Sequence, residues 1–432
     1  MLMERYTDKS RVRVAIVHQA PVYNDKSGGG NAINFLAYLT IHALECNVRI
    51  FSIGKDNFNI NYHINEAKVE EVVNKGFGGI NQGKLFNRIL DGVSLILFNS
   101  YISESRIAAN DAILYNILNY KPDIIIFSSY SLSSLIFKMM QKLPEVKTIA
   151  YTDSYKQIYL AFNAFSQSKL GKLIKVLPPL FLLIKKRYIN HNLKIFSNLV
   201  KLSDCIIFPA NRDELETIRY FKIKKSTSSI PVLPMTQTKQ KSNALRFKKT
   251  KSLKKHLKLG FLGTYEYLPN REAIDMILDK IAPKLPNNEF IIAGSGLPLK
   301  SANNIKMIGF VNNIDDFFST VDIFIAPLIS GVGIKTKLFG AIEKSKPIIG
   351  TDIAFSGYNA KNQFNCIIEN DVNKFSSQIK NLEENKRLYK KLMKNAYTLT
   401  PEFSEQIIKI KKIIEKITKN PKGGKLEIKV SK

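Results

Sequence analysis

The sequence predicts an α/β protein made of two doubly wound domains, each with a mainly parallel sheet between layers of helices. Short runs of β-branched and aromatic residues alternate with longer helical stretches within residues 14–208 and again within residues 259–351. Such alternation favours a parallel sheet with helices on both faces. Ligands bind at the carboxyl ends of the strands in such sheets, so the cleft between the two domains is the expected site.

The first half contains five runs that are typical of strands, together with a helical pattern over residues 31–45. Most are short and rich in Ile, Val or Phe, and Pro, Gly or polar residues bound them, which is typical of strands in parallel sheets. They cover residues 14–18, 48–53, 124–127, 148–152 and 205–208. An acidic helix start at Asp213 and Glu214 follows the last run. We therefore expect the first domain over residues 1–220.

A basic segment separates the two halves. No acidic residue occurs from Thr217 to Tyr265, whereas 12 Lys and Arg fall between Lys222 and Lys258. The segment also carries Pro and many Ser, Thr and Gln residues, which predicts a linker over residues 221–257.

The second half repeats the strand and helix pattern and predicts a domain over residues 258–400. Its five strand runs cover residues 259–263, 289–293, 305–311, 322–327 and 347–351. Ile residues at helical spacing between 407 and 417 predict a helix over residues 401–419 that packs back towards the first domain. Pro and Gly in residues 420–432 predict a mobile tail.

The net charge implies a negatively charged partner, because 65 Lys and Arg stand against 36 Asp and Glu, which gives +29. Nucleic acid, an anionic membrane face and phosphorylated substrates all fit that charge. No nucleic-acid motif is present, and the aromatic residues fall mostly within predicted strands and helices, so nucleic acid is disfavoured. The three cysteines have no metal-type spacing, so no metal is expected. An apolar leader and an apolar run of about 18 residues are also missing, which favours the cytoplasm.

Two glycine-rich loops are candidate phosphate-binding segments. Residues 27–31 open the first predicted helix, where backbone N–H groups could meet an anion; a flexible loop before a helix is the alternative. Residues 331–337, Gly-Val-Gly-Ile-Lys-Thr-Lys, precede a helix expected from about Lys335 to Glu343. A glycine turn with a lysine as countercharge suits a diphosphate, and a solvated helix start is the alternative. Neither loop has the fingerprint spacing of a nicotinamide dehydrogenase.

Three further positions at strand ends could face the cleft. Gly309-Phe310-Val311 could pack on a base, although a buried strand end is the more ordinary interpretation. Asp153 follows a buried strand, where a turn or helix-cap aspartate is the alternative. His18 ends the first strand, and a hydrogen-bonded structural histidine is the favoured interpretation there.

The segment between Lys169 and Lys201 is basic and apolar, with eight Lys or Arg and no acidic residue. Basic amphipathic segments of this kind lie on anionic membrane surfaces. The alternative is an ordinary packed helix with a lysine-rich outer face. The predicted membrane contacts are Lys172, Lys175, Phe181, Lys185, Lys186 and Arg187.

The order of these motifs resembles that of GT-B fold glycosyltransferases, most closely family four of the retaining sugar-nucleotide enzymes (the group 1 type). The likeness in the second half rests on residues 261–264, 268–270, 293–296, 309–311, 326–328 and 331–337. In the first half it rests on Pro21, on Gly29 and Gly30, and on Asp204. The resemblance covers nearly the whole chain.

The resemblance implies a nucleotide-sugar donor held by the second domain and a saccharide acceptor held by the first. It implies catalytic roles for Asp153 and Lys335, the latter neutralising the diphosphate leaving group. The implied donor-binding residues are Gly29, Gly30, Gly263, Thr264, Gly309, Phe310, Val311, Gly331, Gly333, Lys335, Lys337, Gly340, Ala341 and Glu343. It also implies retention of configuration. No Asp-x-Asp motif occurs, which agrees with a reaction that needs no metal or other cofactor.

The sequence departs from the family pattern at the donor site and in the first domain. Gly340 stands where the family has a glutamate that grips the donor ribose, and Glu343 is the nearest carboxylate that could substitute. Ser345 stands where glycine is common, and Asp153 lies near the position of a missing histidine. The leading hypothesis is a glycosyltransferase that extends a lipid-linked saccharide of a surface polysaccharide from the inner face of the membrane. The alternative is a non-catalytic relative that binds a glycan or a partner.

Overall fold

The computed structural model describes residues 12–19, 21–23, 28–54, 57–64, 67–75, 111–128, 132–167, 169–231, 256–297 and 304–419. Most of the predicted linker and the whole predicted tail lie outside these residues. The described chain forms two α/β units with separate sheets, which confirms the predicted fold class.

The first sheet has eight strands in the order β3-β4-β2-β1-β5-β6-β7-β8. The strands are β1 Arg13–Val17, β2 Asn47–Gly54, β3 Phe58–Ile64, β4 Ala67–Lys75, β5 Ile124–Phe127, β6 Lys147–Tyr151, β7 Cys205–Phe208 and β8 Ser226–Ser229. β1 pairs in parallel with β2 on one side and with β5 on the other. The strand order therefore reverses at β1, and a crevice opens beyond the carboxyl ends of β1 and β5.

Seven helices lie between β1 and β8 in the described part of the chain. They are α1 Gly28–Leu44, α2 Asp111–Tyr120, α3 Ser133–Lys142, α4 Lys156–Gln167, α5 Lys169–Ile174, α6 Pro178–Leu202 and α7 Asn211–Phe221. Val14 and Ile16 of β1 belong to one core cluster, whereas Ala15 and Val17 belong to the other. Successive side chains of a strand point to opposite faces, so this sheet is buried on both.

The second sheet has six parallel strands in the order β11-β10-β9-β12-β13-β14. They are β9 Lys258–Leu262, β10 Glu289–Ala293, β11 Ile305–Gly309, β12 Ile323–Ala326, β13 Ile348–Gly350 and β14 Ile367–Ile368. The α-helices described after β9 are α8 Leu268–Met276, α9 Ile314–Thr320, α10 Lys337–Glu343, α11 Phe375–Glu384, α12 Lys386–Asn395 and α13 Phe403–Lys419.

Helix α13 follows the second domain in the chain but packs on the first. Ile410, Ile413 and Ile414 are buried in the same core cluster as Val14 of β1. At the start of the helix, Phe403 stacks on Tyr38 of α1 with ring centroids 5.3 Å apart. The helix thus ties the two domains together on the α1 side of the first sheet.

Two features of the first sheet differ from the sequence-based expectation. β3 and β4 form an antiparallel pair that was not predicted, so the sheet is mixed. β3 lies at the sheet edge and has mostly exposed or half-buried residues, so it lacks the continuous apolar run that marks a buried strand. β8 lies inside the predicted linker and extends the first sheet. We therefore propose that the first domain ends after Ser229 rather than at residue 220.

Candidate active site in the cleft between the domains

The glycine loop after β12 lies against the first domain. Gly331 and Gly333 have φ angles of 121° and 66°, in the left-handed region that favours glycine. A Cβ atom built on Gly333 would lie 2.9 Å from Oδ1 of Asp153, which follows β6 of the first domain. The loop predicted to bind a diphosphate and the aspartate predicted to face the cleft are therefore neighbours.

Lys335 is buried in this loop, with 7% of its surface exposed. Its Nζ donates to the carbonyl oxygens of Gly333 at 2.7 Å and Val332 at 3.1 Å. α10 begins at Lys337 rather than at about Lys335, so the predicted helix start is corrected. Burial lowers the pKa of Lys335 to about 8, against the nearby charges of Asp213 and Asp153, which raise it. Burial makes an isolated ammonium costly, and an anionic ligand would compensate that cost.

Lys337 adds a second ammonium beside the first. Its Nζ donates to Oδ1 of Asn270 in α8 and lies 4.6 Å from the ring centroid of Phe261 in β9. Burial, and then the charge of Lys335, lower its pKa to about 7. The two lysines form a cation pair at the start of α10, where the charge of a diphosphate would relieve their mutual repulsion.

Two carboxylates of the first domain face this loop. The N–H of Gly333 donates to Oδ2 of Asp213, in the first turn of α7, at 2.8 Å. Asp153 is accessible to solvent but is surrounded by protein within the cleft, and this enclosure raises its pKa, while Lys335 opposes the rise. Burial, with the charge of Asp153, raises the pKa of Asp213 to about 6. The cleft therefore holds acidic groups from the first domain and basic groups from the second.

The residues that follow β9 and β11 lie at the carboxyl edge of the second sheet. Phe310 is 74% exposed, so the buried strand end considered for this segment is wrong, and the ring is available for a base. Gly309 has open space where a Cβ atom would be, and Val311 is half-buried. Thr264 is exposed after β9, next to Gly263, which packs against the Asn270 side chain.

Gly340, which stands where the related family has a glutamate, packs directly against a buried aromatic ring. A Cβ atom on Gly340 would lie 2.1 Å from Cε2 of Phe318, a fully buried residue of α9. The aromatic ring thus occupies the space into which a larger side chain would extend. Ala341 is buried, and Glu343 is exposed at the last residue of α10, three residues after Gly340. Ser345 has a φ of 51°, which explains why glycine suits that position.

In the first domain, residues 21–23 and the start of α1 are described after β1. Helix α1 begins at Gly28, so Gly29 and Gly30 form its first turn. Before it, the N–H groups of Val22 and Tyr23 donate to the fully buried Glu71 carboxylate at 2.8 and 2.7 Å. At the end of β1, Nδ1 of the buried His18 lies 2.5 Å from Oγ of Ser128, which follows β5, as expected of a structural histidine.

The predicted membrane contacts lie apart from the cleft, on α5 and the first half of α6. Lys172, Lys175, Lys185 and Lys186 are exposed, whereas Arg187 and Phe181 are half-buried. Phe181 turns towards Phe162 of α4, with ring centroids 5.6 Å apart. The second half of α6 buries residues such as Phe196 and Leu199, so that part is an ordinary core helix.

Sequence reasoning missed two groups that the fold brings to the site. Asp213 was noted as part of an acidic helix start, and nothing local to it indicated a contact with a loop 120 residues away. Asn270 belongs to a segment that resembles the family, but its hydrogen bond with Lys337 depends on the packing of α8 against α10. The sequence signal that could have identified Asn270 is a polar residue among the apolar residues of a helix that is expected to be buried.

Two absences concern the described residues alone. In the part of the chain that the structure describes, no group of three or more His, Cys, Asp or Glu side chains could hold a metal ion. No described helix is both long and apolar enough to cross a lipid bilayer.

Comparisons with known proteins agree with this geometry. Residues 256–385 match the family described as "Glycosyl transferases group 1". The sequence has no significant match among curated protein sequences.

Solved structures share the overall fold at low sequence identity. A sucrose-phosphate synthase from Thermosynechococcus elongatus is 11% identical, with a TM-score of 0.63 over 94% of this chain and 99% of that one. The catalytic domain of starch synthase IV from Arabidopsis thaliana, bound to ADP and acarbose, is 9% identical, with a TM-score of 0.58 over 95% and 100%. A glycosyltransferase from Rickettsia africae is 14% identical, with a TM-score of 0.56 over 95% and 100%. Residues 256–385 are therefore a group 1 glycosyltransferase domain, and the chain as a whole has the GT-B fold of these solved structures.

Proposed function

We propose that this chain transfers a sugar from a nucleotide-sugar donor in the second domain to a lipid-linked saccharide acceptor at an anionic membrane surface. The observation that carries the lipid-linked acceptor is the exposed basic and apolar surface of α5 and α6. Surface polysaccharide synthesis on the inner face of a membrane is the setting that fits such an acceptor. Retention of configuration and independence from metal follow from the family resemblance and are part of the proposal.

The donor half of the proposal rests on the loop between β12 and α10. In this proposal the ammonium groups of Lys335 and Lys337 face the diphosphate leaving group, which gains negative charge as the bond to the sugar breaks. Fixed charges in a water-poor site stabilise such developing charge strongly. Phe310 offers an exposed ring for the base, and Asp153 faces the loop from the first domain.

Diphosphate binding should take up protons at alkaline pH. The pKa values of about 8 for Lys335 and about 7 for Lys337 leave both lysines largely protonated at pH 6 but only partly at pH 8. A bound diphosphate favours the protonated forms and raises both pKa values. We expect uptake of about one proton per site at pH 8 and almost none at pH 6. Calorimetry of nucleoside diphosphate binding in buffers of different ionisation enthalpy measures this number; zero uptake at pH 8 would contradict the assignment.

The membrane half of the proposal rests on apolar side chains that the fold leaves exposed. Leu173, Val176, Leu177, Leu182 and Leu183 are between 40% and 74% exposed. They lie among the exposed lysines of α5 and α6. Apolar side chains that insert at the level of the headgroups, with lysines around them, are typical of interfacial helices.

The position of this surface suits a lipid-linked acceptor. α4 (Lys156–Gln167) begins three residues after Asp153 in the cleft, and its other end leads into α5. Its 12 residues span about 18 Å at 1.5 Å per residue. A lipid anchored at the membrane could thus present its phosphate and first sugars to the cleft.

Charge reversal on this surface should abolish membrane binding. We expect the fourfold variant in which Lys172, Lys175, Lys185 and Lys186 are replaced by Glu to bind anionic vesicles more than 100-fold more weakly than the wild type. Each lysine near an anionic surface contributes about 1 kcal/mol. Co-sedimentation with vesicles of phosphatidylglycerol and phosphatidylcholine measures the effect.

A matched control is available in the second domain. Lys386, Lys390, Lys391 and Lys394 are exposed on α12, and their replacement by Glu changes the net charge equally. We expect this control to retain most of its vesicle binding. Equal loss in both variants would mean that the whole charge of the protein, rather than this surface, drives the binding.

The reaction itself is tested with radiolabelled nucleotide sugars and two kinds of acceptor. Wild-type protein is incubated with a panel of donors and either polyprenyl-diphosphate-linked saccharides in vesicles or the same saccharides free in solution. Transfer to the lipid-linked acceptor alone supports the proposal. Transfer to the free saccharide at equal kcat/KM would contradict the part of the proposal that requires a membrane-bound acceptor.

A further inference from the structure

Asp213 is a first-domain carboxylate buried against a loop of the second domain. Its residue surface is 2% exposed, and its Oδ2 accepts the N–H of Gly333 at 2.8 Å. A buried carboxylate is costly unless hydrogen bonds or charges compensate for the lost water. The peptide N–H of Gly333 supplies one such partner, so the contact fixes the loop to the first domain.

The residues next to Asp213 reinforce this contact. Pro209, at the end of β7, packs beside Gly333, since a Cβ atom on Gly333 would lie 3.6 Å from its Cγ. The carbonyl oxygen of Pro209 would lie 3.1 Å from a Cβ atom on Gly357 of the second domain. The segment from Pro209 to Asp213 thus touches the second domain at two places.

Asp213 also sets the charge around Lys335. Among the charged groups that act on Lys335, Asp213 raises its pKa most, Asp153 raises it less, and Arg212 lowers it. The charges of Asp153 and Glu216 raise the pKa of Asp213, whereas Lys335 and the Gly333 N–H lower it. Both aspartates also raise the pKa values of the nearby Tyr151 and Tyr267. The charges of both aspartates therefore favour the protonated form of Lys335.

We propose that Asp213 is a positioning residue for sugar transfer, which fixes the glycine loop through Gly333 and keeps Lys335 charged opposite the first domain. The inference rests on the proposed role of Lys335 at the diphosphate. It assigns to the first domain an indirect part in donor binding, through a residue that need not touch the donor.

Two substitutions separate the hydrogen bond from the charge. Asp213→Asn keeps a carbonyl oxygen that can accept the Gly333 N–H but removes the negative charge. Asp213→Ala removes both. The matched control is Glu214→Gln, in the same first turn, where Glu214 accepts instead from Oγ1 of Thr227 at 2.7 Å.

The first readout is the pH dependence of binding of inorganic pyrophosphate, the diphosphate common to all nucleotide donors. Affinity should fall at alkaline pH as the loop lysines lose protons. In both Asp213 variants we expect the midpoint of that fall to lie about one pH unit lower, because an opposite charge nearby raises a lysine pKa by an amount of this order. The control variant Glu214→Gln should keep the wild-type midpoint. If Asp213 acted only through its hydrogen bond to Gly333, Asp213→Asn would keep that midpoint as well.

The second readout is amide hydrogen exchange of the peptide that contains Gly333, on the protein alone. Asp213→Ala should speed that exchange at least tenfold, whereas Asp213→Asn and Glu214→Gln should not. Wild-type protein that binds neither pyrophosphate nor nucleotide would overturn the proposed function, and the exchange rates would still decide whether Asp213 holds the loop. An unchanged alkaline midpoint in both variants, with unchanged exchange, would overturn the inference.

Discussion

Lys335→Ala is expected to lower kcat/KM for sugar transfer by about 10²–10³, the usual effect of removing one preorganised group that stabilises developing charge. Nucleoside diphosphate binding should weaken in parallel, because the same ammonium meets the same phosphates in the product. Removal of the ammonium leaves the Asp213 and Asp153 carboxylates without its opposing charge, so the thermal midpoint should fall. Isothermal calorimetry, a transfer assay and a thermal melt measure the three quantities.

The control for this prediction is Lys344→Ala. Lys344 is exposed just after α10 and pairs with Asp315 at 3.1 Å, so its loss removes the same charge from the same region. Exposed ion pairs contribute little, and we expect activity and stability close to those of the wild type. Retained nucleotide binding in Lys335→Ala, or equal loss in Lys344→Ala, would contradict the role given to Lys335.

Gly340→Ala is expected to destabilise the protein, although the same change usually stabilises a helix. Replacing glycine in a helix interior typically gains about 0.5–1 kcal/mol. Here the new methyl group would meet Phe318 at 2.1 Å, and the ring packs against Phe317 and Phe324 and is fully buried. Overpacking of a close-packed core costs about 1–3 kcal/mol, so the steric term should exceed the helix gain. The midpoint of thermal unfolding measures the balance.

A double-mutant cycle with Phe318→Leu identifies the cause. Phe318→Leu alone should destabilise by leaving space beside Gly340. In the Gly340→Ala background it should cost less, because the methyl group then occupies part of that space, and the coupling should be about 1 kcal/mol. A Gly340→Ala variant that is more stable than the wild type would show that α9 and α10 accommodate the methyl group. Packing against Phe318 would then not explain why glycine replaces the family's glutamate at position 340.

The sequence was most informative where local pattern and tertiary packing agree. The parallel strands at residues 124–127 and 205–208 are buried on both faces, and their short apolar runs predict them directly. β3 and β4 have polar or exposed residues, so edge position and pairing define them more than composition does. The start of α10 was placed two residues early, because helical spacing cannot show that Lys335 turns inward to the carbonyl groups of its own loop.

The candidate site was predictable in its second-domain part and not in its first-domain part. The loop over residues 331–337 carries its glycines and lysines in one stretch, so sequence alone identifies it. Asp213 reaches Gly333 only because β7 and α7 end beside the opposite domain, and no local pattern encodes that approach. The filling of the space at Gly340 by Phe318 likewise depends on how α9 lies against α10.

The return of α13 to the first domain also bears on how the chain folds. Ile410 and Ile414 complete a core that begins with Val14, so two ends of the chain separated by roughly 400 residues must meet before that core closes. Contacts of such long sequence separation form slowly, since loop closure comes before the gain from packing. During synthesis, α1 and β1 would therefore leave the ribosome long before their partner helix exists. Until α13 arrives, the α1 residues that it covers, such as Tyr38, stay open to solvent, and a nascent chain that exposes apolar surface in this way is a substrate for chaperones.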